Sequence, residues 1–125
     1  MTPAPDVDHQ ATRHLPLSPR VFQVLISLAD RPRHGYAVIR DVEQRTEGGI
    51  RLTASTLYDA LARLAEQGWI EEVEAPASAG DHDARRRYYR LTELGRQVAR
   101  LEARRLERVI ETARERRLLP KRSRK

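Results

Sequence analysis

Two short stretches of this 125-residue chain are dense enough in donors to do chemistry. The first is Thr53-Ala54-Ser55-Thr56-Leu57-Tyr58-Asp59, followed four residues later by Arg63. The second is Arg85-Arg86-Arg87, three consecutive guanidinium groups. Hydroxyl and guanidinium groups of this kind bind phosphate oxygens and base edges; alone they neither make nor break bonds. The chain lacks the partners for bond-making. It has no cysteine, and His9, His14, His34 and His82 stand at no metal-ligating spacing. No Ser-His-Asp set and no glycine-rich phosphate loop occurs. Recognition of an anionic partner is expected, with no enzyme activity, no cofactor and no metal.

Charge placement refines this expectation. The net charge is +6, but residues 96–125 hold 12 Arg or Lys against 4 Glu, a net of +8. Residues 1–95 hold 12 Arg against 14 Asp or Glu, a net of −2. Basicity belongs to the C-terminal quarter, so DNA binding by the body must rest on local placement. The longest apolar run, residues 21–29, is interrupted by Gln23 and Ser27 and falls far short of the ~20 residues of a membrane helix. The first residues lack the basic-then-apolar order of a signal peptide. A soluble cytoplasmic protein without membrane contact is expected.

The elements that must position these side chains follow from periodicity and caps. Residues 1–14 have no apolar period and read as a flexible arm. Ser18 caps a first helix with Pro19 at its first position, and Val21, Phe22, Leu25, Leu28 and Ala29 follow at helical spacing. A second helix starts near Gly35, with Tyr36, Ile39 and Val42 on its apolar side, and Gly48-Gly49 ends the segment. Residues 50–52 alternate as a short strand at most. Thr53 caps a third helix whose Leu57, Leu61, Leu64 and Ala65 share one face, and Gly68 closes it. Residues 69–75 and 86–91 read as two strands around a turn-rich loop at 76–83. Thr92 caps a final helix over residues 92–119, ended by Pro120, and residues 120–125 form a basic tail. The fold class is mainly α with a small β-hairpin wing. Residues 15–91 form a winged helix-turn-helix, whose third helix enters a major groove while the wing meets the backbone or minor groove.

At this point the chain resembles the PadR family of bacterial transcriptional regulators. The matching strings are His34-Gly35-Tyr36, Leu52-Thr53-Ala54-Ser55-Thr56-Leu57-Tyr58, Leu64 through Glu71, and Arg87-Tyr88-Tyr89-Arg90-Leu91-Thr92-Glu93-Leu94-Gly95-Arg96. In order and spacing they cover most of residues 17–113. The family often has Ser-Pro-Gly where this chain has Thr53-Ala54-Ser55, and Leu where it has Trp69. Long members carry a multi-helix C-terminal domain, whereas one helix must serve here. The resemblance implies a homodimeric regulator, a repressor, that occludes a near-palindromic operator in double-stranded DNA. Relatives respond to small aromatic or lipophilic effectors.

On the third helix the face opposite the apolar stripe carries Ser55, Asp59, Ala62, Arg63 and Glu66, with Thr56 and Tyr58 at its edges. Ser55, Thr56 and Tyr58 are donors to phosphates or base edges, and Arg63 is the long cation of that face. Asp59 either accepts from a cytosine amino group or pairs with Arg63 one turn on. Arg85, Arg86 and Arg87 either contact the DNA backbone or minor groove, or pair across the hairpin with Glu71, Glu72 and Glu74. Of Tyr88 and Tyr89, one is expected in the core and one on the sheet surface. Trp69 packs under the wing or touches an aromatic ligand.

The final helix is too long for the body to cover. Its Leu94, Val98, Leu101, Leu106, Val109, Ile110 and Ala113 form an apolar seam that shifts partway. With Val21 and Leu25 of helix one they are the expected dimer interface. The stripe Arg96, Arg100, Arg104 and Arg108 and the tail either contact DNA or keep the surface solvated. A competing reading is a winged-helix protein-interaction module without sequence-specific DNA binding, suggested by the acidic residues on helix three.

Overall fold

The computed structural model describes residues 13–122. Its helices start where hydroxyl or imidazole caps allow. In α1 (Pro19–Ser27) the Val21 N–H donates to Ser18 Oγ at 3.2 Å. In α2 (Gly35–Arg45) the Ala37 N–H donates to His34 Nδ1 at 3.1 Å. In α3 (Ala54–Glu66) the Thr56 N–H donates to Thr53 Oγ1 at 3.1 Å. In α4 (Glu93–Glu115) the Gly95 N–H donates to Thr92 Oγ1 at 3.1 Å. Each cap satisfies an N–H that has no partner within its helix, worth typically ~1 kcal/mol.

The wing is part of a three-stranded antiparallel sheet and not a free hairpin. Its strands are β1 (Arg33–His34), β2 (Ile70–Val73) and β3 (Tyr88–Leu91), in the order β1-β3-β2. Two residues are too few to show a period, which is why β1 is illegible in the sequence. Both wing strands are shorter than the expected 69–75 and 86–91, because the ladder runs only from the Ile70–Leu91 pair to the Val73–Tyr88 pair. The expected strand at 50–52 does not form. Thr46 Oγ1 instead receives the Ile50 N–H at 3.0 Å, folding this segment back on the end of α2.

One core joins the four helices to β2 and β3. Val24 and Leu25 of α1 and Leu28 at its end, Val38 and Val42 of α2, and Leu57, Leu61 and Leu64 of α3 meet Trp69, Ile70, Tyr89, Leu91 and Val98. Ala65, expected on the buried stripe, is exposed. Tyr88 and Tyr89 are both buried, so neither is a sheet-surface aromatic. Tyr89 joins the core, while Tyr88 is covered edge-on by the His34 ring, 5.3 Å between centroids, on the side β1 supplies.

Two contacts fix α4 on this body. A Cβ at Gly95 would lie 1.9 Å from the Trp69 carbonyl oxygen, so only glycine lets the helix start come this close. Thr92 joins the same junction, donating its N–H to Trp69 O at 3.0 Å and its hydroxyl to Gly68 O. One turn beyond Val98, Glu102 is 2% exposed and accepts from the Leu17 N–H at 3.1 Å and from Arg105 at 2.6 and 3.0 Å. The Arg105 hydrogen bonds hold this carboxyl below its ordinary pKa, against the upward push of burial. At the other end, Arg117 at φ 68° turns the chain and the Leu118 N–H donates to Ala113 O. The helix therefore ends at Glu115, four residues short of the expected 119 and before Pro120 could stop it.

Candidate nucleic-acid interface

The start of α3 presents Ser55, Thr56 and Asp59 to solvent, while Leu57, Leu61 and Leu64 hold the opposite face in the core. Capping leaves Thr53 Oγ1 donating to Thr56 Oγ1 at 2.8 Å, so Ser55 keeps its hydroxyl free of that pair. Tyr58 is half-exposed and lies across the start of α2: a Cβ on Gly35 would sit 2.7 Å from its hydroxyl oxygen. Glycine in His34-Gly35-Tyr36 thus makes room for the α3 tyrosine. Arg63 is exposed but does not pair with Asp59. It borders a cleft of about 300 Å³ with His14, Leu17, Val21, Gln67 and Trp69, turned from the Ser55 side towards the N-terminal segment. Trp69 is almost fully buried, its ring edge-on to His14 at 5.0 Å, so it is first a packing residue.

The three wing arginines have three fates. Arg85 ends a short 3-10 turn, Asp83–Arg85, and is exposed. Arg87 is exposed and pairs loosely across the sheet with Glu72 at 3.5 Å. Arg86 leaves the wing surface: its guanidinium pairs with Asp83 at 3.1 Å, meets His82 Nε2 at 3.1 Å and lies over the Tyr36 ring at 5.5 Å. Of the glutamates, Glu71 is engaged not by the triplet but by Arg90, at 2.6 and 2.9 Å.

This arrangement brings in residues that sequence reasoning missed. Tyr36 is 51% exposed, not on the apolar side of α2, and Arg40 lies over its ring at 5.7 Å. Arg40 follows Tyr36 by one helical turn, so the pair was visible in the spacing; Arg86, fifty residues away, was not. The imidazole of His34 beside them is held below its ordinary pKa, chiefly by burial, with Arg86 adding and Asp83 opposing. Behind this surface, Asp41 accepts from Ser27 Oγ at 2.6 Å and from Arg45 Nε at 2.9 Å, clamping α1 to α2.

The expected dimer seam divides. Leu25 and Val98 are fully enclosed in the core of their own protomer, so they cannot meet a partner. Val21, Leu94 and Leu101 are half-buried against that same core. Leu106 and Ala113 are half-buried, while Val109 and Ile110 are 51% and 41% exposed. Among the described residues, no three His, Asp or Glu side chains are grouped to hold a metal. No helix there is long and apolar enough to cross a membrane.

The model of the transcriptional regulator PadR-like family matches residues 24–101, which run from α1 into α4 and take in the whole sheet. This chain belongs to the PadR-like family. That family is one of transcriptional regulators. A relative from Lysinibacillus sphaericus, named only Uncharacterized protein X, is 30% identical over 73 residues, 58% of this chain and 64% of that protein. The PadR-like chain therefore spans less than two thirds of that relative's length. Its fold is similar to that of a PadR family transcription regulator from hypervirulent Clostridium difficile. That match has a TM-score of 0.62 at 21% identity and covers 79% of this chain and 97% of the other. It is similar also to Bacillus subtilis PadR, solved in complex with operator DNA. There the TM-score is 0.55 at 19% identity, covering 68% of this chain and 46% of the other.

Proposed function

We propose that this PadR-like chain is a cytoplasmic, homodimeric DNA-binding repressor that occludes a near-palindromic operator. The observation that carries the reading is the exposed start of α3, hydroxylated and backed by a fully buried leucine stripe, with the arginine-bearing wing beside it. In a helix-turn-helix the N-terminal residues of such a helix reach base edges, and the wing and flanking cations meet phosphates. Ser55, Thr56 and Asp59 read bases, with Tyr58 at the edge of the face and Arg63 at its far end. Arg85 and Arg87 contact the backbone. Val109 and Ile110, with Leu106 and Ala113, supply the partner-facing seam, and Val21, Leu94 and Leu101 border it. The cleft beside Trp69 offers room for a small aromatic or lipophilic effector between the N-terminal segment and α3.

Selection of bound duplexes from a random pool tests this. A two-fold symmetric consensus, lost or relaxed in Ser55→Ala, is the expected result. Arg85→Ala and Arg87→Ala should weaken all sequences alike. Asp59 and Glu66 on the exposed face of α3 favour one alternative, a protein-interaction module. No enrichment at low salt would decide for that alternative.

A further inference from the structure

Beside the wing the molecule carries a second cationic surface that the α3 reading does not use. Arg31, Arg33, Arg40 and Arg86 line a cleft of about 410 Å³ around the half-exposed Tyr36. Its two carboxylates are already engaged: Asp41 by Ser27 and Arg45, and Asp83 by Arg86. Arg33 spends its Nε–H on the Ser27 carbonyl at 2.7 Å. Arg31 and Arg40 have no carboxylate within ion-pair distance among the described residues, and Arg40 stacks on Tyr36. Two exposed guanidinium groups and a phenol thus converge on a polar cleft with no anion of the chain's own to neutralise them.

The cleft also lies on the α3 side of the molecule. Tyr58 of α3 rests on Gly35, the neighbour of Tyr36, so the two tyrosines share one surface with the exposed start of α3. In a helix-turn-helix the helix before the recognition helix crosses the backbone, so a duplex seated on α3 would bring its flanking strand to this surface. We infer that the Tyr36 cleft binds a backbone phosphate of that strand, and that Asp83 holds Arg86 in the free protein until the phosphate takes its place. This rests on the DNA-binding reading and names a site within it. Arg40 and the Tyr36 hydroxyl donate directly to the phosphate. Arg86, stacked on the same ring, exchanges one oxygen anion for another with little movement. Release of Asp83 also frees the Asp83–Arg85 turn, coupling phosphate binding to the position of the wing.

Binding of the full-length protein to its selected duplex and to random duplex, between 50 and 200 mM salt, tests the inference. Each lost phosphate contact lowers the salt slope by about 0.9. Arg40→Ala and Arg86→Ala should each lose about that much on both duplexes, with thermal unfolding unchanged for Arg40→Ala. Asp83→Asn should bind roughly two- to fivefold tighter, the worth of one exposed ion pair that no longer competes. Arg40→Ala with the parent's slope would overturn the phosphate site, and Asp83→Asn binding no tighter would overturn the exchange. A parent protein that binds neither duplex would instead overturn the DNA-binding reading itself. Pyrophosphate added at matched ionic strength separates a free phosphate from the duplex. If it shifts the Tyr36 resonances while both arginine variants keep the parent's slope, the cleft serves a soluble phosphate and the inference fails.

Discussion

Between Glu93 and Arg105, α4 lies against the body, with Gly95, Val98 and Glu102 all buried. From Leu106 to Glu115 the same helix buries nothing fully, and Val109 and Ile110 stand open to solvent. Both halves carry aliphatic side chains at helical spacing and arginines on the other faces. The difference lies in orientation. Leu94, Val98 and Leu101 point along one line, while Leu106, Val109, Ile110 and Ala113 lie roughly 100° around the helix, at ~100° per residue. A straight helix cannot present both lines to one small body. The proximal seam is therefore used within the protomer, and the distal seam is left for another surface. Apolar spacing identifies a face to be covered but does not say by what.

The largest loss of stability is expected at the proximal end. Gly95→Ala drives a methyl group into the Trp69 carbonyl and should cost about 3 kcal/mol, the upper part of the overpacking range. A urea midpoint close to the parent's would mean that α4 is free to slide. Val98→Ala should cost about 2 kcal/mol, since it empties a site with no exposure. The matched change Val109→Ala should cost under ~0.5 kcal/mol in dilute, monomeric protein.

Glu102 sharpens the contrast through pH. Its folded pKa lies below the ordinary value of about 4.5, so the ionised form is the one favoured by folding. That stabilisation is complete above the ordinary value and is lost as pH falls through the depressed one. Glu102→Gln should remove about 1.5 kcal/mol at neutral pH, the scale of a hydrogen bond to a charged group, and flatten the acid limb of the stability curve. An acid limb identical to the parent's would assign that limb to Asp41, whose pKa is also depressed. There burial pushes upward and the bonds from Ser27 and Arg45 more than offset it.

The smallest effect on folding is expected at the distal end. Ile110→Asp should leave the unfolding free energy of the monomeric form within ~0.5 kcal/mol while shifting sedimentation from dimer to monomer. A variant that still sediments with the parent would place the dimer seam elsewhere. Truncation experiments must respect the same division. A cut after Arg96 removes Val98 and Glu102 from the core, whereas a cut after Arg105 removes only the distal half.

Much of this was legible in the chain itself, for local reasons. Ser18, Thr53 and Thr92 cap helices because a hydroxyl two or three residues ahead of an unpaired N–H is a short-range fact. The buried line Leu57, Leu61 and Leu64 follows from the helical period, and with it the exposure of Ser55 and Asp59. Ala65 shows where that reasoning ends, since a small side chain at the edge of a stripe can fall on either side. The strand at 50–52 fails for a related reason: alternation proposes a strand, but a strand needs a neighbour to pair with.

The residues therefore determined the order of the four helices and two wing strands, the hydroxyl caps, the third helix and its exposed hydroxyl face, and the family. Their physical causes act within a turn or two of helix. Only the tertiary structure decided that Arg86 stacks on Tyr36 and that His34 joins a strand. It also decided that Gly95 is required by a carbonyl 26 positions earlier, and that Leu25 and Val98 belong to the core. Those outcomes depend on contacts between residues far apart in sequence. Such contacts depend on which surfaces meet when the helices pack, and that is a property of the whole arrangement and not of any one segment.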